Sequence, residues 1–341
     1  MSTGDCCCEA NNSCCSNKAV KTVSTTLTFE DICGAWKARW GIGRMDYIVN
    51  PGLYAVGSPN SDSPVLVSAN YKLTFDTLRK NLSGLDCWLL ILNTKGVNVW
   101  CAAGKGTFGT DELIYQIKAV GLSETVTHRK LILPQLGAPG VRAHEVRKST
   151  GFSVMYGPVR ASDIKTFISS GYKATKEMRT VKFTLWDRLV LTPMELVESA
   201  KVSLMVFGVL FLLNLVAVRP FGLEDFLAYA ASVFIGAVVT PALLPVIPGK
   251  AFAFKGWLLG AIGTACIAWS YGWFSSPFLL LGVGYMLVLP AHSAFLAMNF
   301  TGASTYTSPS GVLKEMKIAI PLIVFSFVVG MLLILMKTFM G

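Results

Sequence analysis

The chain has 341 residues, of which 52% are hydrophobic and 15% charged, and its mean hydropathy is +0.53. That balance excludes an ordinary pair of soluble domains. The net charge of +10 comes without any RNA- or DNA-binding signature, so no nucleic-acid partner is expected.

Residues 1–44 carry Cys6-Cys7-Cys8 and Cys14-Cys15 and are expected as a flexible, cysteine-rich segment. No apolar stretch follows Met1, so no signal peptide is expected. Nine cysteines in a reducing cytoplasm point to thiol or metal chemistry rather than disulfides. A globular pattern starts near Tyr47. Strands are predicted at Leu53–Gly57, Val65–Ser68, Cys87–Asn93, Lys130–Leu133 and Phe152–Tyr156, with helices at Leu73–Leu82, Asp111–Val120, Val141–Lys148 and Asp163–Ser169. This alternation predicts an α/β, doubly wound, Rossmann-like domain over residues 45–180. Ligands of such sheets bind beyond the carboxyl ends of the strands, which directs attention to loops 69–74, 94–109, 134–140 and 157–160.

Residues 98–109 read NVWCAAGKGTFG. Small residues around one cysteine let a large planar ligand approach the backbone. Lys105 and a helix start at Cys101 would favour a thiolate. A phosphate loop fails here, because Val99 stands where its first Gly should be and Gly106 replaces Ser or Thr. On residues alone three readings of Cys101 stay open: a buried structural thiol, a nucleophile paired with His128 or His144, or a single thiolate ligand for a metal.

The apolar excess lies after residue 200. Residues 202–218, 226–247, 256–275, 277–298 and 318–336 contain no Asp, Glu, Lys or Arg, and each approaches the roughly 20 residues that cross a bilayer. They predict an all-α domain of five transmembrane helices over 201–341, after an interfacial linker at 181–200. In the linker, Phe183, Trp186, Leu189 and Val190 suit either a membrane-surface segment or an ordinary surface helix. Thr192-Pro193-Met194-Glu195 offers a capping Thr and a Pro at the first helical position, so the first span is expected to start at Pro193 and to stop at Arg219-Pro220.

Residues 142–188 hold ten Lys or Arg against four Asp or Glu, as suits a flank facing anionic lipid. Lys182, Arg188, Lys201, Lys250, Lys255, Lys314 and Lys317 on one side of the spans outnumber Arg219 and Lys337 on the other. The bias predicts a multi-pass protein of the cell inner membrane with a cytoplasmic N-terminal domain and the C-terminus outside. Gly256, Gly260, Gly263, Gly282 and Gly284 predict close helix packing, and Pro241, Pro245 and Pro248 a kink or end in the second span. His292, an ionisable group inside a span, is read either as functional or as an interhelical hydrogen-bond partner.

NVWCAAGK at 98–105 resembles the cap-helix motif of the membrane corrinoid proteins of microbial mercury methylation. SANYKLTFD at 68–76 and LPQLGAPGV at 133–141 are similar to segments of the corrinoid domain shared with the large subunit of the corrinoid iron–sulfur protein. The resemblance covers residues 45–175, and that family adds a five-helix membrane domain. It implies a cobalamin-type cobalt corrinoid with Cys101 as the lower axial ligand of cobalt and the catalytic residue. Asn98, Val99, Trp100, Ala102, Ala103, Gly104 and Lys105 would form a short cap helix beneath the ring. Thr74 would lie near the cobalt face, and Gln135, Leu136, Gly137, Ala138, Pro139 and Gly140 along the nucleotide tail.

The implied activity is methyl transfer to inorganic Hg(II), giving methylmercury. A thiolate ligand is a strong donor and favours release of methyl as a carbanion equivalent, which the soft Hg(II) ion demands. The implied partners are a methyl-donor protein using methyltetrahydrofolate and a ferredoxin-like protein with two 4Fe–4S clusters. The chain departs from the iron–sulfur relative in having no Cys-x-x-Cys series, so reduction is expected from outside. The Asp-x-His-x-x-Gly motif of many cobalamin enzymes is absent too, since Val126 and Arg142 precede His128 and His144 by two residues. Cys6 to Cys15 suit either capture of Hg(II) by soft thiolates or no special role, and Cys33, Cys87 and Cys266 are read as structural. Two alternatives stay open: a corrinoid methyl carrier for another acceptor, and a transporter or sensor with a regulatory α/β domain. Spans lacking Asp, Glu, Lys and Arg weigh against the transporter.

Overall fold

A strand that is apolar on both faces needs helices on each side of its sheet, and that requirement shapes the N-terminal half of the chain. The computed structural model describes residues 20–217, 220–304, 306 and 309–340. Cys6 to Cys15 and Arg219 lie outside the described residues. The chain divides into two units, residues 1–31 with 45–179, and residues 32–44 with 180–341.

The first unit holds β1 (Lys21–Val23), the start of α1 (Phe29–Arg39), β2 (Gly52–Val56), β3 (Val65–Ala69), α2 (Lys72–Asn81), β4 (Cys87–Leu92), α3 (Val99–Lys105), α4 (Thr110–Ala119) and α5 (Leu122–Thr125). It continues through β5 (Lys130–Leu133), a 3-10 segment at Gln135–Gly140, α6 (Ala143–Thr150), β6 (Ser153–Tyr156) and α7 (Ile164–Ser169). The sheet order is β1-β2-β4-β3-β5-β6. Strands β4, β3, β5 and β6 are parallel, whereas β2 runs antiparallel to β4, with Gly52 opposite Ile91 and Val56 opposite Cys87. The sheet is therefore mixed. Apolar composition marks Leu53–Val56 as a strand, but direction is set by the connections.

Alternate strand residues divide two cores. Val65, Val67, Leu90, Leu92, Leu131 and Leu133 pack with Leu113 and Ile117 of α4 and Val146 of α6. Leu66, Leu89, Ile91 and Ile132 pack on the other face with Phe75 and Leu78 of α2 and Phe167 of α7.

Residues 21–39 fall inside the segment expected to be flexible, yet they form β1 and α1. Charge holds the start of α1. Asp31 accepts from Lys72 Nζ (2.5 Å) and Arg79 Nη2 (2.6 Å), while Asp76 binds the same two cations at 2.6 and 2.8 Å. Arg79 Nη1 also donates to the carbonyls of Ser24 (2.6 Å) and Thr26 (3.0 Å). Burial alone would raise the Asp31 pKa, but hydrogen bonds from Lys72, the Thr28 amide and Arg79 hold its carboxyl well below the usual range. A cysteine-rich composition hid this, because the partners lie 41 and 48 residues further on.

The second unit takes the end of α1, then α8 (Leu185–Leu189), α9 (Thr192–Leu213), α10 (Leu223–Phe234), a π-helical turn at Ile235–Val239 and α11 (Thr240–Leu243). α12 (Phe252–Ser270), α13 (Leu279–Asn299) and α14 (Pro309–Met340) complete it. Five stretches among the described residues are long and apolar enough to cross a membrane: Leu185–Leu213, Leu223–Leu243, Phe252–Ser270, Leu279–Gly302 and Ser310–Phe339. The first takes in most of the expected linker. Thr192 is its helix's first residue rather than its cap, and its hydroxyl donates to the Leu189 carbonyl (2.9 Å). The capping box sits upstream, where Thr184 Oγ1 accepts from the Asp187 amide (3.3 Å) and Asp187 Oδ2 from the Thr184 amide (2.8 Å).

Helix α13 is the hub. A Cβ on Gly256 or Gly260 would strike Ser293, Ala294 or Pro290 of α13, and one on Gly284 would lie 3.0 Å from the Gly330 carbonyl of α14. His292 shares a hydrogen bond with Ser232 Oγ (2.9 Å) and stacks on Tyr229 at 5.0 Å, so its observed contacts are interhelical. Buried Arg188 donates to the carbonyls of Phe183 (2.8 Å) and Ala242 (2.9 Å), fastening α8 to the end of α11.

Candidate functional site at the carboxyl ends of the strands

Where strand order reverses in an α/β sheet, the loops leaving two neighbouring strands part and open a crevice. The chain here runs from β3 to β4 on one side, then crosses to β5 on the other. Pairing between β3 and β5 covers only Val65 with Leu131 and Leu66 with Ile132. Beyond that point the loops after β3, β4 and β5 share one edge.

The loop after β4 builds α3. Asn98 caps it by accepting from the Cys101 amide (2.9 Å), and Gly106, at φ 79°, ends it in the left-handed conformation. Val99, Ala102 and Ala103 are buried, while Trp100, Cys101, Gly104 and Lys105 are exposed. The inner face lies against Gln135–Gly140. A Cβ on Gly140 would run into the Phe108 carbonyl and come within 3.1 Å of Ala103 Cα, and one on Gly137 would meet the Phe108 ring at 2.5 Å. Ala102, Ala103, Gly137 and Gly140 are therefore small so that the two loops can lie against one another. Gly104 differs: a Cβ there would meet nothing within 4 Å. It shares the exposed face with Cys101, three residues earlier.

Asn70, which follows β3 and was not among the sequence candidates, holds the approach to this helix. It is 2% exposed, and its Oδ1 accepts from the Thr94 amide (3.0 Å), the Thr94 hydroxyl (2.9 Å) and the Gly96 amide (3.1 Å). Lys95 and Gly96 both have positive φ, 56° and 72°. A side chain at Gly96 would come within 2.9 Å of the Met45 carbonyl. The signal in the sequence was a polar residue directly after an apolar strand, but its partners are 24 to 26 residues away.

Thr74 lies in the first turn of α2, half-buried, at the same edge. Gln135 Oε1 accepts from Arg179 Nη1 (2.9 Å), and Leu136 packs on the core. Ala138 is half-buried and Pro139 exposed. The fold thus brings Thr74, residues 98–105 and residues 135–140 to one edge of the sheet.

His128 belongs to the opposite edge. Its Nε2 donates to the Ser63 carbonyl (2.9 Å), its Nδ1 accepts from the Lys130 amide (3.2 Å), and it lines a cavity of about 140 Å³ with Asp62, Lys130, Met155 and Tyr172. His144 is exposed, 3.8 Å from Glu145. Neither hydrogen-bonds Cys101, so the geometry gives the paired-nucleophile reading no base. Cys87 is fully buried, and burial pushes its thiol up to about 12. Among the described residues no three His, Cys, Asp or Glu side chains gather to hold a metal.

Four parallel strands with their loops converging on one carboxyl edge place this unit among the α/β folds whose ligands bind at that edge. Residues 43–168 match the family described as CO dehydrogenase/acetyl-CoA synthase delta subunit. The chain is also similar to acetyl-CoA decarbonylase/synthase complex subunit gamma of Methanopyrus kandleri, 34% identical over 122 residues, 35% of this chain and 26% of that protein. The same subunit of Archaeoglobus fulgidus is 33% identical over 126 residues, covering 36% and 26%, and that of Methanocaldococcus jannaschii 30% over 139 residues, covering 40% and 28%. The chain spans about a quarter of the length of these relatives. The family match ends before the five apolar helices begin.

Proposed function

We propose that the α/β unit binds a cobalt corrinoid at this carboxyl edge, with Cys101 as its lower axial ligand, and that the protein methylates inorganic Hg(II). The observation that carries the reading is the division of α3. Its inner face is locked on Gln135–Gly140, and its outer face presents one exposed thiol beside an open glycine. These residues fit a large flat group: Gly104 leaves room over the helix, and a single thiol is presented there. Such a cofactor, when bound, supplies a transferable methyl group, and a thiolate donor favours its delivery to a soft electrophile.

The chain's own residues do the positioning. Asn98 fixes the Cys101 amide, and Asn70 fixes the turn that leads into the helix. Lys105 offers positive charge on the exposed face. Residues 135–140 would run along the nucleotide tail, and Thr74 would stand on the side of the incoming acceptor. A methyl-donor protein using methyltetrahydrofolate and a ferredoxin-like protein with two 4Fe–4S clusters would serve the cycle. The five apolar helices would hold the chain in the inner membrane with the α/β unit cytoplasmic. The relatives' names, subunits of acetyl-CoA decarbonylase/synthase complexes, support a second reading, a methyl carrier for another acceptor.

Cys101→Ala is expected to abolish methylmercury formation in cells while the protein still accumulates. Cys101→His is expected to fail as well, because imidazole is the weaker donor. Full activity of Cys101→Ala overturns the ligation, full activity of Cys101→His shows that any ligand at this position suffices, and a wild-type chain that never methylates Hg(II) but carries a corrinoid selects the second reading.

A further inference from the structure

A helix that leaves large apolar side chains in water has either a partner or a membrane to cover them. Helix α1 places Phe29, Ile32 and Trp36 at spacings of three and four, so they form one stripe, and all three are exposed, Trp36 at 63%. The stripe continues past the helix end through Trp40 and Ile42, both also exposed. Residues 32–44 contain Lys37, Arg39 and Arg44 and no acid. The two acids of the helix, Glu30 and Asp31, lie in its first turn, and Asp31 is neutralised by Lys72 and Arg79.

Residues 32–44 belong to the unit that carries the apolar helices. Arg39 Nη1 donates to the Val190 carbonyl (3.4 Å), and Gly41 packs against Met194 and Val197 in the first turns of α9. Leu185 and Trp186 of α8 are exposed in the same unit, at the head of the first apolar stretch. Tryptophans beside Lys and Arg at the start of a span are the composition of the lipid headgroup layer.

We propose that α1 and residues 40–44 lie in the membrane interface, with Ile32, Trp36 and Trp40 among acyl chains and Lys37, Arg39 and Arg44 toward anionic headgroups. The occupant of the stripe is a lipid surface: the patch is continuous with the start of the first span and carries the charge that anionic lipid requires. The chain would then touch the membrane both before and after the bulk of the α/β unit. This inference rests on the proposed membrane placement of the five helices.

The test is photo-crosslinking of the full chain in native membranes, with p-benzoyl-phenylalanine in place of Trp36, of Leu204 on the exposed side of α9, or of Tyr115 on α4 in the α/β unit. Lipid adducts at 36 and 204, and none at 115, are the expected result. Lipid at 204 but not 36, or capture at 36 of another protein or a second copy of this chain, overturns the inference while leaving the membrane reading intact. No lipid at 204 or 36 overturns both, and lipid at 115 as well removes the selectivity on which the inference depends.

Discussion

At the residue scale the account turns on which side chains face the crevice and which only hold it. Cys101 and Cys87 make the contrast, one exposed and one sealed in β4. Iodoacetamide at pH 8 should alkylate Cys101 in the folded, corrinoid-free chain and leave Cys87 untouched until denaturant is added, as peptide mass spectrometry would show. Modification of Cys87 in the folded chain would contradict the burial. Because its folded pKa lies near 12, above the ordinary thiol value of about 8.5, the Cys87 contribution to stability is whole below that lower value. It is lost as pH rises toward the upper one. Asn70→Ala should cost about 2–3 kcal/mol, since it leaves the Thr94 and Gly96 amides without their acceptor. Thermal unfolding of the full chain, with faster hydrogen exchange at residues 94–98, reads this out, and unchanged exchange there would remove Asn70 from the site. Cys101 could be singled out in the sequence because one cysteine among small residues stands out, and its exposure on α3 excludes a buried structural thiol. Asn70 was not, because nothing local distinguishes an asparagine that ends a strand from one that binds a loop 24 residues away.

At the scale of elements, period and composition carried β2 to β6 and α2, α4, α6 and α7 to within a few residues, but not β1 or α5. Val141–Lys148 was expected as a helix, and α6 begins only at Ala143, after the 3-10 segment that packs on α3. The antiparallel direction of β2 and the existence of α1 escaped, since each depends on partners distant in sequence. Among the apolar helices the glycines of α12 and α13 were legible as packing sites, while Gly330 of α14 was not, being a single glycine in an apolar run. A Cβ at Gly330 would lie 2.8 Å from the Gly284 carbonyl, whereas one at Gly208 of α9 meets nothing within 4 Å. Gly330→Leu should therefore destabilise the detergent-solubilised chain by about 1–3 kcal/mol or more through overpacking, and Gly208→Leu should be tolerated. Equal melting temperatures for the two variants would contradict the packing of α13 on α14.

At the scale of the whole chain, the division is between an α/β unit with relatives and a set of apolar helices that the family match does not reach. Hydropathy alone announced the five helices, because length and the absence of charge are properties of the sequence itself. The α/β class was legible for a similar reason, and so were the loops beyond the carboxyl ends of the strands; which of them border one crevice was not, since that arises from strand order. Its contents are the central claim. The most direct measurement is the metal content and ultraviolet–visible spectrum of the purified full chain, wild type beside Cys101→Ala. The account predicts stoichiometric cobalt with corrinoid absorption bands in the wild type, no stoichiometric iron, and bands altered or lost in the variant. A wild-type chain without cobalt, or one with identical corrinoid bands after loss of Cys101, would contradict it.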